Sequence, residues 1–190
     1  MIVKSQVVKM WQFNHLIRIC VIRAPHLETM LQVLLLLMQC SFSGGTTILN
    51  LPLDERFTTR NAFLNLAKVT PYNVDSVPFD YLPRRKEPAA LNQIHDWVDV
   101  HANEADAGIV SLEMYLYGGL IASRTSNDTT EVIRQRWHRL RKIPNLTLLA
   151  SSVVMRIPAY NGDEEEPWYW AFYGRDLFEY SYYTGTSSKT

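Results

Sequence analysis

Asp54 and Glu113 are the acids this sequence places where chemistry is done: each closely follows a short apolar run, Thr47–Leu53 for the first and Ala107–Leu112 for the second. Brought together, such a pair can act as general acid and base, or as the two carboxylates of a glycosidase, and their separation would decide which. Arg56, Arg124 and Arg156 have the side chain that grips an anionic or carboxylated ligand with two parallel hydrogen bonds. Tyr117, Tyr160 and Asn161 add polar contacts, and Gly118 and Gly119 allow a close backbone approach or an anion nest. The competing role for each acid and arginine is an ion pair that fixes a loop, as buried charges are kept when they are paired or useful.

Other chemistries lack their residues. No glycine pattern opens a helix after the first strand, so a nucleotide loop is absent. Ser123, Ser151 and Ser152 lack a Gly-x-Ser-x-Gly elbow. His95, His101 and His138 have no metal spacing with one another, so neither a metal nor a cofactor is indicated. The 190 residues carry 19 basic and 19 acidic side chains, a balance that excludes a nucleic-acid partner held by bulk positive charge.

Elements that would position these groups can be read from hydrophobic period. Thr47–Leu53, Ala107–Leu112 and Leu146–Val154 are short apolar runs typical of buried strands, and Tyr72–Val77 is a weaker one. Between them, Thr58 or Thr59 can cap a helix with Phe63, Leu66 and Ala67 on one face, ended by Pro71. Pro88 suits the first position of a helix carrying Leu91, Ile94 and Val98. A loop is expected from Glu113 to Arg124. Asp128 and Glu131 then open a helix with Ile133, Trp137 and Leu140 as its buried stripe, and Arg139, Arg141 and Lys142 complement its dipole. Pro167 opens an aromatic helix preceded by Glu164, Glu165 and Glu166. Alternating strands and helices predict an α/β fold, a mostly parallel sheet of repeated βα units. An open Rossmann-like sheet is favoured over half of a (β/α) barrel, which would leave two raw edges. Ligands of such sheets bind at the carboxyl ends of the strands, which is where the acids, arginines and phenols fall.

The amino end reads differently. The run Leu31–Met38 is too short to cross a bilayer, but with Ser41 and Ser43 it fits a secretory signal cut before Gly44. The sequence therefore divides into a gene-model extension over 1–29, a signal peptide over 30–43 and an incomplete α/β domain over 44–190. Both cysteines, Cys20 and Cys40, precede the cut. Asn127 and Asn145 head sequons that an exported chain would offer for glycosylation. From Gly44 onwards 15 basic and 18 acidic residues leave a charge of −3, which disfavours an anionic membrane as partner of the mature form. A secreted or extracellular protein with a small-molecule or glycan ligand is the expectation.

Four strings are distinctive: Leu-Pro-Leu-Asp-Glu-Arg at 51–56, Ala-Asp-Ala-Gly-Ile-Val-Ser-Leu-Glu-Met-Tyr-Leu-Tyr-Gly-Gly-Leu-Ile-Ala-Ser-Arg at 105–124, Met-Arg-Ile-Pro-Ala-Tyr-Asn at 155–161 and Glu-Glu-Pro-Trp-Tyr-Trp at 165–170. In this order they resemble the amino-terminal part of the DUF4127 family, over roughly Thr47 to Tyr183. The resemblance implies a longer protein of which this chain is a part, with the aromatic helix 167–183 packed on the remainder. It assigns no reaction. Where the family has Asp after Ser-Leu this chain has Glu113, and where it has Asp-Ser-Arg-Pro this chain has Asp54-Glu55-Arg56-Phe57, which ranks Glu55 below Asp54 and Arg56. The functional expectation is a hydrolase or lyase on a carbohydrate-like or other polar substrate, with a non-catalytic binding module or an inactive truncated product as alternatives.

Overall fold

Strands buried on both faces need apolar side chains in both alternating sets, and two of the runs supply them. All five residues of Ala107–Ser111 are buried, as are four of the five in Thr47–Leu51. The structure, a computed structural model, describes residues 9–13, 17–22, 45–143, 146–154 and 157–187. Its elements are β1 (Lys9–Phe13), β2 (Ile17–Ile22), β3 (Thr47–Leu51), α1 (Asn61–Ala67), β4 (Asn73–Ser76), a 3-10 turn (Phe79–Tyr81), α2 (Leu91–His101), β5 (Ala107–Ser111), α3 (Leu112–Tyr117), α4 (Leu120–Thr125), α5 (Thr130–Arg141), β6 (Thr147–Val153) and α6 (Trp170–Ser187).

The strands form one sheet in the order β1-β2-β6-β5-β3-β4. Every neighbouring pair from β2 to β4 is parallel, and β1 returns antiparallel on β2. The α/β class and the mostly parallel sheet are as the sequence predicts. Among β3 to β6, β3 sits between β4 and β5, so the chain winds outwards from β3 to one side and then crosses to the other. That reversal is the topological switch point of doubly wound sheets, where consecutive crossovers cover opposite faces. The pattern of burial agrees. Ile48 and Ile109 face Phe63 of α1, whereas Leu49, Leu51, Val110 and Leu148 face Ile94, Trp97 and Val98 of α2, Met114 and Tyr115 of α3 and Leu140 of α5. β1 and β2, from the stretch expected to be an extension, lengthen the sheet beyond β6; the expected signal peptide over 30–43 lies outside the described residues.

Local signals were overridden at several places. Thr59 does not cap α1, whose N-cap Arg60 makes no side-chain capping bond, because the Thr59 hydroxyl is directed back to Asp54. Leu66 turns outwards. α2 begins at Leu91 rather than at Pro88, the amide of Ala89 being held by the carbonyl of Gly118 at 3.0 Å. The cap of α5 is Thr129, which accepts from the Val132 amide, while Asp128 pairs with Arg136 at 2.7 Å. Arg139 bridges to Asp96 and Asp99 of α2 at 2.9 and 2.6 Å, tying two helices on one face instead of serving its own helix dipole alone. α6 starts at Trp170. Its indole N–H donates to the Tyr160 carbonyl at 2.7 Å, and Gly174 one turn on leaves room for the ring.

Among residues 170–184 of α6, only Trp170, Gly174, Phe178 and Ser181 are turned from solvent, and Phe172, Tyr173, Tyr180, Tyr182 and Tyr183 are all more than half exposed. Among the described residues no helix is long and apolar enough to cross a membrane.

His95 is buried in the face below α2, its Nε2 2.9 Å from the Tyr115 carbonyl and its ring 4.5 Å from that of Tyr115. Burial pulls the imidazole below its ordinary value, the nearby Arg139 and Arg136 add to the shift, and the Tyr115 bond and Asp99 oppose it. An unfolded chain would take up the proton at a pH where the folded one does not. The sign follows: stability is full above pH 6.5, the ordinary imidazole value, and falls as pH drops below it. Thermal melts from pH 7.5 downwards should show this loss, and His95→Gln, less stable at pH 7.5, should show a flatter profile between pH 6.5 and 5.

Candidate functional site

Parallel pairing fixes which residues share an edge. The register sets Leu51 beside Val110, Val110 beside Ala150 and Ser111 beside Ser151, so the segments after β3, β5 and β6 all leave from the same side. The segment expected to be a loop after β5 is instead a pair of short helices, α3 and α4, hinged at Gly118 and Gly119. Gly118, at φ 88°, closes α3: its amide donates to Met114 O and that of Gly119 to Glu113 O, both at 3.0 Å. Those amides are therefore spent within the turn. A Cβ on Gly119 would stand 2.9 Å from Pro83, so this glycine seats α4 against the proline-rich segment.

Asp54 is 3% exposed and is wrapped by its own loop. Oδ1 accepts from the Arg56 amide at 3.1 Å and from the Thr59 hydroxyl; Oδ2 accepts from Arg56 Nε at 2.8 Å and Nη2 at 2.5 Å. This two-point grip raises the Arg56 guanidinium above its usual value, the hydrogen bond to Asp54 being the largest cause. Glu113, 6% exposed at the start of α3, accepts from Ser111 Oγ at 2.9 Å, from Ser152 Oγ at 2.8 Å and from the Val153 amide at 2.8 Å. Its carboxylate thus ties the tip of β5 to the tip of β6 with three donors. Its length suits this: the side chain reaches across one strand spacing to the end of β6.

Beside them lies a cleft of about 270 Å³. It is lined by Asp54, Glu55 and Arg56 after β3, by Pro83 and Arg85 before α2, by Leu120, Ile121 and Ala122 in the first turn of α4, and by Glu165. Glu165 and Glu166 do not serve a helix start as expected. Glu166 pairs with Arg124 at 2.8 Å, and Glu165 lies 3.5 Å from Arg124 and 3.8 Å from Arg56, so the segment before α6 is fastened over the edge. The Arg124 and Glu166 side chains are only 15% and 10% exposed, and breaking such a pair from one side typically costs about 3–5 kcal/mol.

Of the expected site residues, Asp54 and Arg56 line the cleft, and Arg124 braces it from behind. Glu113 is not in the lining. Tyr117 is half-buried at the end of α3, Tyr160 is half exposed, and Asn161 accepts from the Arg175 amide at 2.7 Å, so its carboxamide serves α6. Asn127 is exposed between α4 and α5. Arg156 and Asn145 lie outside the described residues.

Sequence reasoning passed over Arg85. Residues 84–87 form a tight hairpin in which Arg84 and Glu87 exchange backbone hydrogen bonds at 3.1 and 3.0 Å. Arg85 occupies the first central position at φ 55°, where a turn of this size normally places glycine. Holding a side chain there costs roughly 1–2 kcal/mol. The Arg85 amide donates to Glu55 Oε1 at 3.3 Å. No residue of 84–87 is the glycine or asparagine that announces such a turn, so the sequence carries no signal for it.

A family model described as "Protein of unknown function (DUF4127)" matches residues 48–190, from β3 through α6. No curated protein and no solved structure matches the chain.

The bonding of Glu113 yields a test. Glu113→Leu removes the acceptor on which three donors converge and leaves at least the Val153 amide, which cannot turn to accept, without this partner at about 1–3 kcal/mol. Urea unfolding should show a loss of this order, with an unchanged slope, and Ser152→Ala combined with it should cost less than the two losses added together.

Proposed function

This chain belongs to the DUF4127 family, and we propose that its cleft at the carboxyl edge binds a small polar, carbohydrate-like molecule. The observation that carries the reading is the cleft's position between the ends of β3 and β5, at the reversal in strand order, where sheets of this kind take their ligands. Its composition supports the same reading. Pro83, Leu120, Ile121 and Ala122 offer apolar surface to the C–H face of a sugar, and Glu55, Arg56 and Arg85 offer polar groups at the rim. The volume suits a single small ring.

Asp54 is the member of the expected acid pair that reaches this cleft, so hydrolysis or elimination here would use it as general acid or base. The bonds that hold it also fit a purely structural part, and binding without turnover is the reading its saturation favours. A secreted setting belongs to the proposal too, supported by the apolar run Leu31–Met38 with Ser41 and Ser43, and by the exposure of Asn127; on this reading a cut before Gly44 would detach β1 and β2 and leave β3 to β6 as the mature sheet.

Calorimetric titration with a panel of neutral and acidic monosaccharides tests the binding. Ile121→Trp, at a half-buried position of the lining, should fill the cleft and abolish the heat of binding while leaving the far-UV spectrum and melt intact; undiminished binding would place the site elsewhere. On any substrate turned over, Asp54→Asn should lower kcat by about 100-fold or more, the range of a lost general acid or base. Unchanged kcat would leave Asp54 as a loop-fixing residue.

A further inference from the structure

Four carboxylates and three guanidinium groups surround the cleft, and all but two of these groups are held in salt bridges. Asp54 is taken by Arg56, and Glu166 with Glu165 by Arg124. Glu55 accepts from the Arg85 amide and attracts Arg56 at longer range, and the Arg85 guanidinium has no hydrogen-bond or ion-pair partner among the described residues. The two stand side by side on the rim: an acceptor for hydroxyl groups and a cation for an anionic group.

We infer that Arg85 makes the cleft selective for a small hydroxy acid of monosaccharide size, whose carboxylate docks on the Arg85 guanidinium while a hydroxyl donates to Glu55. This rests on the proposed binding of a polar ligand at the same cleft. Two independent observations support it. Arg85 keeps a left-handed backbone, φ 55°, at a turn position where glycine would sit without strain, so the turn gains nothing from this side chain. The Glu55 carboxylate accepts from that strained amide, which ties the hairpin to the loop after β3, and Arg85 is one of the residues that line the cleft. Apolar Pro83 and Leu120 border them, and of the two lining arginines Arg56 is already gripped by Asp54, which leaves Arg85 as the one whose guanidinium is open to a ligand carboxylate.

The full chain is titrated with glucuronate and with glucose at low salt. Wild type should prefer glucuronate by about tenfold or more, the smaller value following from one charge-assisted bond at a solvent-exposed rim. Arg85→Gly, which suits the turn and should melt at or above the wild-type temperature, should bind both sugars equally. Arg85→Lys should retain part of the preference, since it keeps the charge and loses the fork. Equal binding of the two sugars by wild type, or a preference that survives Arg85→Gly, overturns the role of Arg85 and leaves the cleft's sugar binding intact. Failure of wild type to bind either sugar overturns both.

Discussion

Strands that run in one direction must be joined by crossovers, and each crossover returns the chain to the same starting edge. Every segment that follows a strand therefore leaves from the opposite edge, and in this protein that edge gathers the loop after β3, the two short helices after β5 and the segment after β6. The register between β3, β5 and β6 makes the gathering tight, with residues at the strand ends directly beside one another. The reversal of strand order at β3 then parts two of these segments, and the parting is the cleft.

Most of the charge at this edge is spent on keeping the segments in place. Glu113 joins two strand tips, Asp54 shapes its own loop through Arg56 and Thr59, and Arg124 anchors the stretch before α6 through Glu165 and Glu166. Each is a buried or half-buried charge with multiple partners, the condition under which burial of charge is tolerated. What is left outside these ties is correspondingly small, namely Glu55, the Arg85 guanidinium and a patch of aliphatic surface, and the proposed ligand would have to use these. Rigid surroundings and few free groups are what a selective site for a small molecule needs.

The strands could be read from sequence because burial on both faces leaves a short, mainly apolar run, and Thr47–Leu51, broken only by Asn50, and Ala107–Ser111 are such runs. Helices α3 and α4 were hidden. At six residues each they are too short for a helical period to emerge, and the glycine pair between them reads as ordinary loop punctuation. Asp54 and Arg56 were found because they directly follow a strand. The partners of Arg124 lie more than 40 residues away along the chain, and no local pattern records such a pairing. Thr59 has the residue type and position of a helix cap, and a carboxylate five residues earlier outcompetes the helix for its hydroxyl. Arg85 sits in a basic stretch that looks like solvated surface; only its backbone angle sets it apart.

The aromatic flank of α6 governs how the protein leaves its folded state. Rings that are more than half exposed at Phe172, Tyr173, Tyr180 and Tyr183 give partly opened molecules a ready surface on which to coalesce before they can refold. Heating would then set reclosure against clumping, and the temperature at which the fold is lost should vary with protein concentration and heating rate as well as with the strength of the sheet.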